Sequence, residues 1–223
     1  MRSSPWSSIF EASTLSTVRY SSPMRAQYIS IDEQKRRIPG YLPEHAEEFH
    51  TASAREADRL FSLALKNHPA KTVILLCGGS ASGKTEFCSE YLFDEDAIVY
   101  DGTLSSVHGA EVKLHNIRRA KKQAVVIGIL PDDLTRAFSA FLHRDRQFSD
   151  AHFYRTHAGA RSTLLWVAEH YPDVELRLFE STYRRGASLS FDILEFGNRD
   201  GFIEYLRSVQ YTEKQIISLV TAS

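Results

Sequence analysis

The stretch Gly78-Gly79-Ser80-Ala81-Ser82-Gly83-Lys84-Thr85 constrains this chain more than any other, because it fits the phosphate-binding pattern G-x-x-x-x-G-K-[ST] without a gap. A chain of this length and ordinary composition would show that pattern by chance roughly once in a hundred. The flanks agree with it. Lys71-Thr72-Val73-Ile74-Leu75-Leu76-Cys77 is a short apolar, β-branched run, as in a strand buried on both faces of a parallel sheet. Residues 85–93 then place Phe87 and Tyr91 at helical spacing, with Cys88 and Leu92 beside them. A polyphosphate must be wrapped by backbone N–H groups, and only small residues let the backbone come that close. Gly78 to Gly83 supply the loop, with the amides of Ser80 to Gly83 as the nest, and the following helix adds its partial positive charge. Lys84 is expected to reach the β- and γ-phosphates and the Thr85 hydroxyl to bind Mg²⁺, so ATP and Mg²⁺ are the expected cofactors.

Further strand-like runs alternate with helical ones. Residues 97–100, 123–130 and 174–179 read as strands. Residues 44–66 read as one long helix. A second is capped by Ser105 or Ser106 and ends in the basic run Arg118, Arg119, Lys121 and Lys122, which suits a helix C-terminus. A third is capped by Asp132 or Asp133 and carries Leu134, Ala137, Phe138 and Phe141. Two separate helical stretches follow at 150–156 and 158–170, and terminal helices cover 200–208 and 212–220. Residues 28–32 read as a short extended piece, 36–43 as a turn-rich linker around Pro39-Gly40, and 191–196 as either strand or helix. This alternation predicts an α/β fold, a parallel sheet with helices on both faces and ligands at the carboxyl ends of its strands.

At 223 residues the chain suits one such domain. Residues 1–27 are Ser- and Arg-rich with Glu11 their only acid, and read as a disordered tail, leaving 28–223 as the domain. A transit peptide and a start at Met24 are the competing readings of that tail. The net charge of −1 shows no basic footprint for nucleic acid, and no apolar run approaches the length of a membrane span. Cys77 and Cys88 lack a C-x-x-C partner, which argues against zinc and for a reducing, cytoplasmic compartment.

Asp101 stands at the carboxyl end of the second strand. A carboxylate there faces the γ-phosphate and Mg²⁺, where it takes the proton from an attacking hydroxyl or holds the metal. Thr103 is placed to hydrogen-bond the same substrate. His157 reads as a capping or packing residue near a helix start, and Tyr154, Arg155 and Arg161 as a lid or a mixed helix surface.

These elements resemble the zeta toxin family of P-loop kinases over residues 41–182. The specific part is GGSASGKT with Asp101-Gly102-Thr103-Leu104. The strand ending Ile129-Leu130-Pro131, the Arg-bearing segment after it, Thr156 to Thr163 and the strand before Glu180-Ser181-Thr182 add diffuse similarity. The resemblance implies a P-loop kinase-like sheet and an ATP- and Mg²⁺-dependent phosphotransferase. It implies a small-molecule acceptor, typically UDP-N-acetylglucosamine, and an antitoxin protein partner. It places Asp101, Gly102 and Thr103 against the sugar nucleotide and makes Arg144 and Arg146 the candidates to stabilise the transferring phosphate, a task suited to a planar guanidinium. One departure stands out. The family has a further strand, carrying the catalytic aspartate, between the phosphate loop and the acidic-Gly-Thr strand, and too few residues separate them here. Either Asp101 does both jobs, or Asp94 or Asp96 substitutes, or catalysis is altered. The rival readings are an ATP-binding module in which occupancy positions residues 28–43 for a protein partner, and a plain ATPase or GTPase. The last lacks a water-positioning Gln and an N-K-x-D element.

Overall fold

The computed structural model describes residues 26–183 and 188–222; residues 1–25 of the expected tail lie outside them. The fold is α/β, as expected, but the sheet reaches further toward the N-terminus than the sequence indicates. It begins with strand β1 (Gln27–Ser30), so Gln27 belongs to the domain and not to the tail. Helix α1 (Ile31–Arg36) follows at once, and Ser30 caps it by accepting from the Glu33 amide.

The expected helix over 44–66 is shorter. Pro43–His45 forms a 3₁₀ turn, further turns bring the Tyr41 and Phe49 rings edge to face, and helix α2 (His50–Asn67) starts only then. Strand β2 (Thr72–Cys77) leads into the phosphate loop, and helix α3 (Lys84–Phe87) leaves it and widens into a π turn over Cys88–Leu92. Strand β3 (Ala97–Asp101), helix α4 (Val107–Arg119), strand β4 (Gln123–Pro131) and helix α5 (Leu134–Leu142) come next, with Ser106 and Asp133 as the caps. The two helical stretches expected at 150–170 are one helix, α6 (Asp150–His170). Gly159 does not break it. A Cβ there would stand 2.2 Å from the Ser105 carbonyl, so the glycine is required by close passage of the chain before α4. Strand β5 (Glu175–Thr182) precedes β6 (Ser190–Ile193), which settles the ambiguous 191–196 stretch as partly strand, and helices α7 (Arg199–Ser208) and α8 (Glu213–Thr221) close the chain.

The sheet order is β1-β3-β2-β4-β5-β6. All pairings are parallel except β5 with β6, so the expectation of a parallel sheet holds for five strands and fails at one edge. Period-two alternation divides the core. Val73, Leu75 and Cys77 face the side covered by α2, α4, α6 and α7, while Ile74 and Leu76 meet Phe87, Leu92 and Phe179 on the α3 side. A third cluster joins α5 and α8 to the start of α6 through Phe141, Phe153 and Ile216. Among the described residues no helix is long and apolar enough to cross a membrane.

The sheet position beside β3, left vacant by the short segment between loop and strand, is filled by β1. Gln27 to Ser30 pair with Ile98 to Asp101. Asp94 and Asp96 precede β3 and so lie at the amino end of the sheet, opposite the phosphate loop; neither substitutes at the site.

Candidate functional site

The phosphate loop is held from both sides. Gly83 takes φ +87°, a left-handed conformation that a side chain would strain, and Ala81 shares it at φ +60°. From α6, His157 Nε2 lies 2.9 Å from the Ser80 carbonyl, and Thr156 Oγ1 accepts the Ser80 amide at 3.1 Å. That bond removes Ser80 from the amides left free to face a ligand. Gly79 passes so close to the His157 ring that a Cβ would meet it at 2.3 Å. From the end of β5, Tyr183 donates to the Ala81 carbonyl at 2.6 Å. Gly78 donates to the Thr103 carbonyl at 3.1 Å, tying the loop to the chain after β3. His157 is therefore the packing residue allowed for by sequence, but in mid-helix, fully buried on Phe153 and bonded to the loop. Burial, with Arg161 nearby, holds its imidazole well below the ordinary range, so it is neutral and its Nε2 carries the proton donated to Ser80. Arg161 is buried as well, which rules it out as part of an open lid.

Lys84 and Asp101 meet at the carboxyl ends of β2 and β3. The Lys84 ammonium donates to the Gly78 and Gly79 carbonyls at 2.9 and 2.8 Å. Burial lowers its pKa and Asp101 opposes that shift. Burial raises the Asp101 carboxyl, against the pull of Lys84 and of the hydroxyls bonded to it. Those hydroxyls belong to Tyr28, on β1, and to Thr85, 3.4 Å away; both donate to Oδ2. Thr85 and Asp101 thus set two hard oxygen donors side by side next to the loop, which could hold a cation such as Mg²⁺. Gly102 and Thr103 line the same cleft, and Thr103 Oγ1 lies 3.0 Å from Ser105 Oγ.

The facing wall comes from α1 and from the connection between α5 and α6, and it includes two residues that sequence reasoning missed, Asp32 and Lys35. Arg146 and Lys35 both pair with Asp32, Lys35 at 3.2 Å. Burial works to raise the Asp32 carboxyl, but Arg146, Lys35 and Arg144 together hold it below the usual carboxylate range. Lys35 is only 1% exposed, with its ammonium 4.4 Å from the centre of the Phe148 ring. Arg144 lies over Phe141, and its Nε and Nη2 are buried without a hydrogen-bond partner. Burial beside Arg146 pushes its guanidinium down to about 10. Neutral His50 and His152 complete the wall; burial takes both below the ordinary range, His152 to about 3. The sequence signal for this wall was Ser30-Ile31-Asp32-Glu33, which fits the S-x-x-E start of a helix.

The loop, the strand ends and this wall enclose a cleft of about 410 Å³. Its charged lining consists of the cations Lys35, Arg36, Lys84, Arg144 and Arg146 against the carboxylates Asp32, Glu86 and Asp101. Two positive charges are left over in this formal count. Every residue assigned to the site from sequence lies in this cleft or in the loop beneath it.

No protein family and no curated protein matches the chain. Among solved structures it is similar to that of the AvrRxo1-ORF1:-ORF2 complex, native form, at 12% identity and a TM-score of 0.48, over 79% of this chain and 76% of that one.

Proposed function

We propose that this chain is a phosphotransferase that binds ATP with Mg²⁺ at the phosphate loop and transfers the γ-phosphoryl group to a hydroxyl of a small molecule. The observation that supports this reading is the convergence of Lys84, Thr85, Asp101, Arg144 and Arg146 on one cleft with two uncompensated positive charges. A binding loop alone needs no such wall. In this reading Lys84 and the loop amides hold the polyphosphate, and Thr85 and Asp101 hold the metal. Mg²⁺ held there would supply neutralisation of the phosphate charge. Arg144, whose unpaired nitrogens need an acceptor, and Arg146 neutralise charge that grows during transfer. Asp101, Gly102 and Thr103 border the acceptor. The resemblance to zeta toxins adds a UDP-sugar as the first acceptor to try, an antitoxin as a protein partner and the cytoplasm as the location.

The test uses purified protein with ATP, Mg²⁺ and a panel of UDP-sugars and nucleosides, with products read by mass spectrometry. Lys84→Ala should abolish ATP binding, and Asp101→Asn should abolish the magnesium-dependent part of it. If neither substitution changes ATP binding or turnover, the site is wrong. Tight ATP binding with no product from any acceptor would instead support the ATP-binding module.

A further inference from the structure

We propose that Asp32 is the carboxylate that meets the acceptor hydroxyl, with Asp101 left to the metal. This rests on the phosphotransfer reading above and replaces Asp101 as the candidate base. Asp101 is poorly placed for two tasks. It is buried, and its Oδ2 already receives the hydroxyls of Tyr28 from β1 and of Thr85 from the end of the phosphate loop. A carboxylate that receives the Thr85 hydroxyl is where the metal belongs.

Asp32 is placed for the second task by where it emerges from the sheet. Strand β1 runs parallel to β3 with Ser30 paired to Asp101, so two residues further on Asp32 emerges at the same end of the sheet as the phosphate loop. Its side chain is 37% exposed, and it opens on the cleft that Lys84, Arg144 and Arg146 line. Lys35 donates to one carboxylate oxygen and Arg146 to the other, which fixes the orientation and leaves each oxygen a lone pair. An ion pair with a buried lysine is a poor device for stability, because desolvation of the charges offsets their attraction. Its use is to hold an ionised carboxylate rigidly beside the phosphate-facing arginines.

In the transfer step the acceptor O–H gives its proton to Asp32 as its oxygen forms a bond to the γ-phosphorus. The bond from that phosphorus to the bridging oxygen breaks, its electron pair leaves with ADP, and Asp32 later returns the proton to water. Arg146, which pairs with Asp32 and lines the same cleft as Lys84, would couple acceptor position to phosphate position.

Water can stand in for the acceptor, so the test needs no identified substrate. The full chain is titrated with ATP in the presence of Mg²⁺ by calorimetry, and phosphate release from γ-labelled ATP is followed in a single turnover. Asp32→Asn should keep the affinity for magnesium-bound ATP and slow release by about a hundredfold or more. Asp32→Glu keeps the charge opposite Lys35 and Arg146 but displaces the oxygens; it should melt like the wild type and remain slow. Release at the wild-type rate from either variant overturns the proposal, as does a wild type that binds ATP and releases no phosphate. If Asp32→Asn fails to fold, Asp32→Glu decides. A wild type that does not bind ATP at all overturns the phosphotransfer reading itself.

Discussion

Replacing His157 with phenylalanine isolates what α6 contributes to the phosphate loop. The change keeps a ring of similar size in a fully buried site, so the cavity term is small. It removes the donor 2.9 Å from the Ser80 carbonyl and leaves that buried acceptor unpaired. Orphaning such a group costs about 1–3 kcal/mol, out of a total stability of about 5–15 kcal/mol. ATP affinity should fall with it, because the Ser80 carbonyl fixes the start of the loop that wraps the phosphates. Urea unfolding and ATP titration of both proteins at neutral pH measure the two effects.

A second readout separates this from generic core damage. The His157 imidazole is held well below its ordinary 6.5 in the folded chain, so the unfolded chain takes up a proton that the folded one refuses. Stability from this group is fully present above about 6.5 and is lost as pH falls below it, with a slope approaching about 1.4 kcal/mol per pH unit. The loss accumulates as the pH is taken down toward about 5. His50 and His152 behave likewise but are common to both proteins. The wild type therefore loses more stability than His157→Phe on acidification, and the gap between the two curves narrows. A stability gap that stays constant from neutral pH to about pH 5 would refute the reasoning, because it means that His157 is protonated in the folded chain. So would a gap below about 0.5 kcal/mol at neutral pH, which means that the Ser80 carbonyl is not orphaned.

Tyr28→Phe removes the phenol that donates to Asp101 and should let burial raise that carboxyl further; magnesium affinity of the ATP complex, followed by calorimetry, should fall by about tenfold or more, and an unchanged affinity would sever Tyr28 from the site. Burial pushes the Cys77 thiol up to about 12 and raises Cys88 as well, so neither should react with iodoacetamide in the native state while both react on unfolding. Rapid native labelling of either, read by mass spectrometry, would contradict their burial.

What was legible in the sequence is what local chemistry decides. The phosphate loop, its flanking strand and two helix caps are set by residues within a few positions of one another; of the paired candidates Ser105 or Ser106 and Asp132 or Asp133, the structure takes Ser106 and Asp133. Asp101 was found because it ends a continuous apolar strand. The rest depends on partners distant in sequence. Strand β1 has four residues and no periodic signal of its own; it is a strand because β3, about seventy positions away, offers an edge. His157 looked like a terminus residue because residues 150–170 read as two helices parted between Thr156 and Ala158. Gly159 answers to the Ser105 backbone, which no local pattern reveals.

Strand β1 also changes how the short segment after the phosphate loop bears on catalysis. The missing strand was the sequence feature that most favoured a binding module without phosphotransfer. A sheet position, however, is defined by hydrogen bonding to its neighbour and not by order along the chain. Filling it from the N-terminal side of the loop places the end of β1 level with Asp101, and the turn into α1 then carries Asp32 into the cleft. Strand β1 therefore brings a carboxylate to the end of the sheet that holds the phosphate loop, where the proposed transfer would use one. Whether that carboxylate takes a proton is a question about phosphate release, and Asp32→Glu, which keeps the charge and moves only the oxygens, separates chemistry from architecture.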